Sequence, residues 1–437
     1  MKKLILIIIS LSICFTATRT SYYSTNVYDL LDIAEKSNIS IQISNRKYNI
    51  ASAQTRQAWS TVFPKFTLDA GANRMESYSS KAYASFFPTF DPISNYYSAS
   101  IGMSQILFNG SVFPAITASD YGLQAAQSDL NATKETVYYN VVKLYFSIIQ
   151  FEEQLDVIID SKTQLQRILD QTYELNKNGM ATQIDVLRTK ASLSEINATV
   201  ISMTNAKETM KNNLEILLNK ELESDRFDSD IITELYESQI VNNKIDMEKI
   251  LNNRQDYQNL KNMVSLLKTN VDIQTGAYLP SVMLVGSYGY QGASGFNYTD
   301  ANKDWMIGVN AQWNIFDFGA NQTKIDEAFE NYKITEKQVE QLALSIEKEL
   351  DGIKLNVKSA KAKIVAIKLA EKANKDVFEL VNSRFFLGDV THLELMDAQN
   401  AVSKVRRNLV EAKIDYALEV LRWLKSTGKI LSYFEKE

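Results

Sequence analysis

The chain has 437 residues, 45% of them hydrophobic and 23% charged, which describes a folded protein with room for two or three domains rather than a disordered segment. Its 52 acids and 47 bases give a net charge of −5, spread along the chain, so it lacks the basic face that nucleic-acid binding needs. A single histidine (His392), a single cysteine (Cys14) and no glycine-rich phosphate loop disfavour most enzyme classes and suggest no catalytic residue, no cofactor and no metal site.

Lys2 and Lys3, the apolar run Leu4 to Ile13 and the small residues Thr16, Ala17 and Thr18 have the three-part layout of a secretory signal peptide over residues 1–20. The run is too short to span a bilayer as a helix. Cleavage near Thr20 removes Lys2, Lys3, Arg19 and no acid, so the charge moves from −5 to −8, and it removes Cys14 as well. Leu11-Ser12-Ile13-Cys14 resembles a lipid-attachment site, although Ile13 is bulky for the position before the cysteine. An exported chain without disulfides depends on packing, sheet pairing or oligomerisation.

A first structural repeat is expected over 21–220. It opens with a helix from about Val27 to Val62, then a β-hairpin over 65–108 in which Phe66, Leu68, Ala70 and Ala72 alternate with Thr67, Asp69, Gly71 and Asn73. From Pro114 to Asn178 the pattern is helical, with Val141, Leu144, Ile148, Phe151, Leu155 and Ile158 spaced as a coiled-coil seam. That stretch makes a helix of about 100 Å. A Gly turn and a helix from Thr182 to Asn219 complete the unit. The acidic segment 221–245 reads as a strap around the middle.

A second repeat over 246–428 follows the same plan: a helix from Asp246 to Gly276, a hairpin over 281–316, a long helix from Ala320 to Phe386, a Gly turn and a helix from Thr391 to Gly428, with 429–437 as a tail. In its hairpin Trp305, Ile307, Val309, Ala311, Trp313 and Ile315 share one face, opposite Gly308, Asn310, Gln312 and Asn314. Ile346, Leu350, Ile353, Val357, Ala360, Ile364 and Ile367 repeat the seam. Pro64 and Pro280 differ by 216 positions, Phe108 and Phe316 by 208, and Gly179 and Gly388 by 209, which indicates a tandem duplication. In each half two shorter helices placed end to end match one long helix, so the long helix runs antiparallel beside both.

Four strands of this length suit an outer membrane crossed at a tilt. A four-stranded sheet cannot close on itself, and hydrocarbon cannot solvate its open edges, so the chain has to oligomerise. Two copies give eight strands and a filled interior, whereas three give 12 and begin to leave room for water.

This duplicated plan, with Leu107-Phe108-Asn109-Gly110, Ile315-Phe316-Asp317-Phe318-Gly319, Asn253-Arg254-Gln255-Asp256 and the stretch from Leu387-Gly388 to Asp397-Ala398-Gln399, resembles the TolC family of outer-membrane efflux channels. The resemblance implies a mixed, mainly α fold with a membrane β-barrel part: a homotrimer with a 12-stranded barrel in outer-membrane lipid and a long α-helical periplasmic tunnel. It also implies docking to a periplasmic adaptor and an inner-membrane pump, in tripartite efflux or type I secretion. An exported coiled-coil stalk with a structural or adhesive role is the alternative.

By position, the resemblance makes Glu394 and Asp397 the acidic constriction of the pore, with Asp185 at the related place in the first half. Their spacing puts Glu394 and Asp397 on one helix face, where a trimer would stack two rings of three carboxylates that attract cations. Acids in a first helical turn also complement the helix dipole. The turns Asn178, Gly179, Met180, Ala181, Thr182 and Leu387, Gly388, Asp389, Val390, Thr391 become the tips that an adaptor contacts. Val390 and Phe385 stand where the family carries an Arg and a Tyr that latch the entrance, so closure is expected to rest on apolar contacts of Phe385, Phe386 and Leu387. His392 reads as a solvated turn residue, with pH sensing as the alternative.

Overall fold

The computed structural model describes residues 25–76, 82, 85–87, 93–223, 226–238, 241, 246–292, 295, 299–385 and 387–435. The expected signal segment with Cys14, Phe386 and most of both hairpin loops lie outside them.

Helix α1 (Val27–Ser37) is followed by α2 (Ile39–Ser60), strands β1 (Lys65–Glu76) and β2 (Ile93–Phe108), then α3 (Val112–Lys177) and α4 (Gln183–Leu218). A short α5 (Asp230–Glu237) leads to α6 (Met247–Asn253) and α7 (Gln255–Gly276), strands β3 (Ser281–Gly292) and β4 (Lys303–Gln312), α8 (Ala320–Phe385), α9 (His392–Ser426) and a terminal α10 (Ile430–Phe434). The protein is mainly α-helical with one four-stranded sheet. Helices α3 and α8 have 66 residues each, about 100 Å at the usual rise. α3 packs against α2 and α4, and α8 against α7 and α9, so each long helix lies beside two shorter ones.

Two expected helices are broken. At Asn38 the backbone turns extended (ψ 127°), and the side chain caps α2 by accepting from the Ile41 N–H while its amide donates to the Leu217 carbonyl. At Arg254 (ψ 120°) the guanidinium donates to both carboxylate oxygens of Asp256, to Glu349 and to the Ser426 carbonyl. In both places a polar residue gives up helical geometry to satisfy partners on other elements. The two breaks are 216 positions apart, the spacing of Pro64 and Pro280.

The apolar seam of α8 is buried from Ile346 to Ile364. On α3 the buried face is wider than a seam, taking in Val142, Tyr145, Phe146 and Ile149, because this helix touches α2, α4, α7 and α9. The main core is a belt around the middle: Leu30 of α1, Tyr145 and Phe146 of α3, Leu214 and Leu218 of α4, Leu350 of α8 and Leu421 of α9, under Ile231, Ile232 and Leu235 of α5. Segment 226–237 is tied down by an isolated parallel bridge between Thr25 and Phe227 and by the buried Tyr145 hydroxyl, 2.6 Å from the Asp228 carbonyl and 3.0 Å from that of Thr25.

The sheet has the order β1-β2-β3-β4, antiparallel throughout, so β1 and β4 are its edges. β4 stops at Gln312 rather than Phe316. Its partner begins at Ser281, after a proline without an N–H, and the Trp313 indole N–H donates instead to the Tyr278 carbonyl. The register assigns faces across the whole sheet. Phe66, Leu68 and Ala70 pair with Met103, Ile101 and Ala99; Ile101 and Ala99 pair with Tyr288 and Tyr290; Tyr288 and Leu284 pair with Trp305 and Val309. That face is apolar. The opposite face carries Thr67, Asp69, Asn73, Ser98, Ser100, Ser287 and Gln291. Leu68 is 77% exposed, and Trp305 and Ile307 are 67% exposed, so the apolar side has no cover among the described residues.

Candidate functional site at the helix turns

At the end far from the sheet, α3 turns into α4 and α8 into α9 by one local design. Gly179 (φ +72°) and Gly388 (φ +79°) take the left-handed conformation that ends a helix, and the next residue donates back across the turn, Met180 N–H to the Leu175 carbonyl and Asp389 N–H to that of Arg384. Each following helix begins with a capping box. Asp185 Oδ2 accepts from the Thr182 N–H (2.9 Å) and hydroxyl (2.7 Å), and Glu394 Oε2 accepts from the Thr391 N–H (2.7 Å) and hydroxyl (2.9 Å). Both boxes are spelled in the sequence as Thr-x-x-acid, Thr182 to Asp185 and Thr391 to Glu394.

These bonds set the charge states. Hydrogen bonds from the Thr391 backbone and then its hydroxyl hold the Glu394 carboxyl below the ordinary carboxylate range. Burial works to raise Asp185, but the Thr182 hydrogen bonds, with His392 and Arg188 nearby, outweigh it and the carboxyl is lowered. Glu394 and Asp397 are exposed; Asp185 is half-buried and points toward the second half of the chain.

His392 departs from expectation. It is not solvated but 6% exposed, with Nε2 2.8 Å from Thr189 Oγ1, Nδ1 3.8 Å from Asp185 Oδ1 and the Phe385 ring edge-on at 5.9 Å. The cause is its position: it opens α9 on the side facing α4. Beneath it Leu165 and Ile168 of α3, Phe385, Leu395 and Met396 form a second, small core, with Val390 packed against it. Phe385 is therefore inside the protomer. Asn178, Gly179, Met180 and Thr182, with Leu387, Gly388, Asp389 and Thr391, are exposed, while Ala181 and Val390 are half-buried. Met180 (67%) and Leu387 (74%) present bare apolar side chains at the tips.

The sequence profile of the family described as outer membrane efflux protein matches residues 30–220 and 247–429, most of the chain. The chain belongs to this family. It is an outer-membrane efflux channel protein, and the adhesive-stalk alternative is left without support. The outer membrane protein TolC of Vibrio cholerae is 22% identical to it over 98% of this chain and 96% of that protein, and the TolC of Escherichia coli 21% identical over 98% and 87%. Among solved structures, CusC superposes with a TM-score of 0.81 at 17% identity over 94% of this chain and 93% of that one. The outer membrane protein VceC of Vibrio cholerae superposes with a TM-score of 0.79 at 17% identity over 92% and 96%. The fold is therefore that of outer membrane efflux proteins. Between the two turns His392 lies against Asp185 and Thr189, with Phe385 and Val390 in the apolar cluster below.

Proposed function

We propose that three copies of this chain close into one tube, a 12-stranded barrel continued by a helical tunnel through the periplasm, and that the tube is a passive conduit with no catalytic chemistry of its own. The observation that carries this reading is the sheet: among the described residues two edges are unpaired and one apolar face is exposed. Lipid suits that face but cannot solvate open edges, so β1 of one copy has to meet β4 of the next. The contact is head-to-tail and closes as a ring. The same ring sets α8 of one copy near α2 and α4 of the next, where Leu344, Leu355 and Leu369 on one side and Ile50, Ile201 and Ile216 on the other are exposed in the single chain.

In this reading residues 21–220 and 246–428 are the two repeats and 221–245 the strap. Glu394 and Asp397 line the constriction as two carboxylate rings, Asp185 contributes less because His392 and Thr182 engage it, and Phe385 acts on the gate by holding its turn in place. The tips Asn178–Thr182 and Leu387–Thr391 receive the periplasmic adaptor on their exposed apolar side chains, and an inner-membrane pump supplies the energy, as in tripartite efflux or type I secretion. Detergent-extracted protein should run as a trimer and give stepwise, cation-selective conductance in planar bilayers. A stable monomer, or well-folded trimers that never conduct, would overturn the proposal. Crosslinking in intact cells identifies the adaptor.

A further inference from the structure

The hydrogen bonds around His392 determine which of its nitrogens carries the proton. Thr189 has one hydroxyl hydrogen, and it is donated to the Asp185 carbonyl one helical turn back, at 2.9 Å. The Thr189 oxygen can then only accept from the ring, so Nε2 bears the hydrogen and Nδ1 of the neutral imidazole is a bare lone pair. That Nδ1 is buried without a hydrogen-bond partner among the described residues, facing the Asp185 carboxylate at 3.8 Å. A proton added there would not gain a hydrogen bond in place, because 3.8 Å is too long. Neither side can close the gap freely: Thr182 holds Asp185 Oδ2 through two donors, and Thr189 holds the ring through Nε2. The result is a cation with an unsatisfied N–H in a buried site.

We infer that neutral His392 is the pin joining the first turns of α4 and α9 within one chain, and that protonating it at Nδ1 expels the ring to water and lets the two turns separate. The charged groups acting on the ring are Asp185, which attracts the added charge, and Arg188, which repels it, both from α4; α8 presents the Phe385 ring and α3 contributes Leu165 and Ile168 to the cluster below. Burial, the largest influence, lowers the His392 pKa from its ordinary 6.5; Asp185 opposes this and Arg188 reinforces it. A base whose pKa is depressed in the packed form favours packing at high pH. That stabilisation is complete above the ordinary value and is lost as pH falls below it toward the depressed one. The joined turns are therefore the neutral-pH state and the parted turns the acid state.

The consequence for flow rests on the entrance reading given above; the latch itself does not. Spin labels at Met180→Cys and Asp389→Cys, in full-length Cys14→Ser protein diluted into unlabelled copies, report the distance between the turns in one protomer. A single short distance is expected at about pH 7.5 and an added longer one at about pH 5, the range in which histidine changes charge. His392→Leu should abolish the longer component at acid pH. Arg188→Gln, an exposed change that removes the repulsion, should move the transition to higher pH. A pH-invariant distance in the parent, or the same transition in His392→Leu, overturns the inference. If the distances respond but bilayers show no conductance, the channel reading fails and the latch stands; the reverse pattern rejects the latch alone.

Discussion

Replacing Gly276 by alanine sets two effects of opposite sign against each other. Gly276 is the last residue of α7, and alanine is favoured over glycine in a helix by about 1 kcal/mol, less at an end, so local propensity alone forecasts a small gain. The surroundings forecast the reverse. A Cβ there would lie 2.4 Å from the carbonyl carbon and oxygen of Gly110 and 2.7 Å from the Ser111 nitrogen, and a Cβ on Gly110 would lie 2.6 Å from the Gly276 carbonyl oxygen. These are backbone atoms of the link between β2 and α3, so no flexible side chain can yield, and the two segments must part by about 1 Å to restore van der Waals contact. The Ser111 hydroxyl bond to the Ile273 carbonyl, now 2.7 Å, would be stretched in the same movement. Overpacking of this kind costs about 1–3 kcal/mol, and with rigid neighbours the upper end applies, leaving a net loss of about 2 kcal/mol. Gly122→Ala is the matched control: it lies inside α3, and its Cβ would meet Leu266 at an ordinary 3.6 Å, so a gain of about 1 kcal/mol is expected. Thermal unfolding of both variants by circular dichroism at equal protomer concentration gives the comparison. If Gly276→Ala were as stable as the parent while Gly122→Ala gained, the close approach of the two backbones would be wrong.

Other substitutions probe separate parts of the molecule. Burial, with Asp256 adding to it, raises the Glu135 carboxyl from 4.5 to about 7, opposed by Arg254 and Lys425, so the fold weakens as pH rises from 4.5 to about 7 and no further above it; Glu135→Gln should stabilise by about 3 kcal/mol near pH 8, a gain that shrinks toward pH 5 in denaturant titrations and is refuted by a pH-independent difference. Tyr145→Phe leaves the Asp228 and Thr25 carbonyls without the hydroxyl and should cost about 1–3 kcal/mol, seen as faster hydrogen exchange over 226–237 than elsewhere. Asp397→Asn with Glu394→Gln should reduce cation selectivity, read as a reversal potential moving toward zero. Because Thr391 lowers the Glu394 carboxyl below its ordinary 4.5, the part of the selectivity that Glu394 supplies, read in Asp397→Asn protein, should persist as pH falls to that value and fade only below it. Thr391→Val removes a cap and should destabilise the start of α9 by about 1 kcal/mol, detected as exchange confined to its first turn.

The long helices were readable because their signals are repeated: an apolar period recurs in both, over Val141–Ile158 and Ile346–Ile367, and prolines confined to boundaries leave little room for another structure. The hairpins were equally plain in their alternation, and the register shows that the alternation of all four strands falls in phase on one face. What could not be read were the places where a residue answers to a distant partner. Asn38 looks like an unremarkable helical residue until the Leu217 carbonyl lies beside it, and Arg254 until Glu349 and Ser426 do. His392 was misread for the same reason: nothing local reveals that Thr189, 203 positions earlier, closes over it. The capping boxes differ in kind, since their Thr-x-x-acid spelling is local and shows in the sequence a use for the carboxylates nearer than the pore.

The belt of buried side chains around the middle gives the shaft a fulcrum. From Ile364, its lowest fully buried residue on α8, the helix runs on to Phe385 as an arm of about 30 Å. Pivoting that arm alone by about 5° would carry its far end through nearly 3 Å. In the proposed trimer this would decouple the aperture of the inner mouth from the seal in the bilayer, so the wall facing the outside would not have to loosen for the mouth to widen.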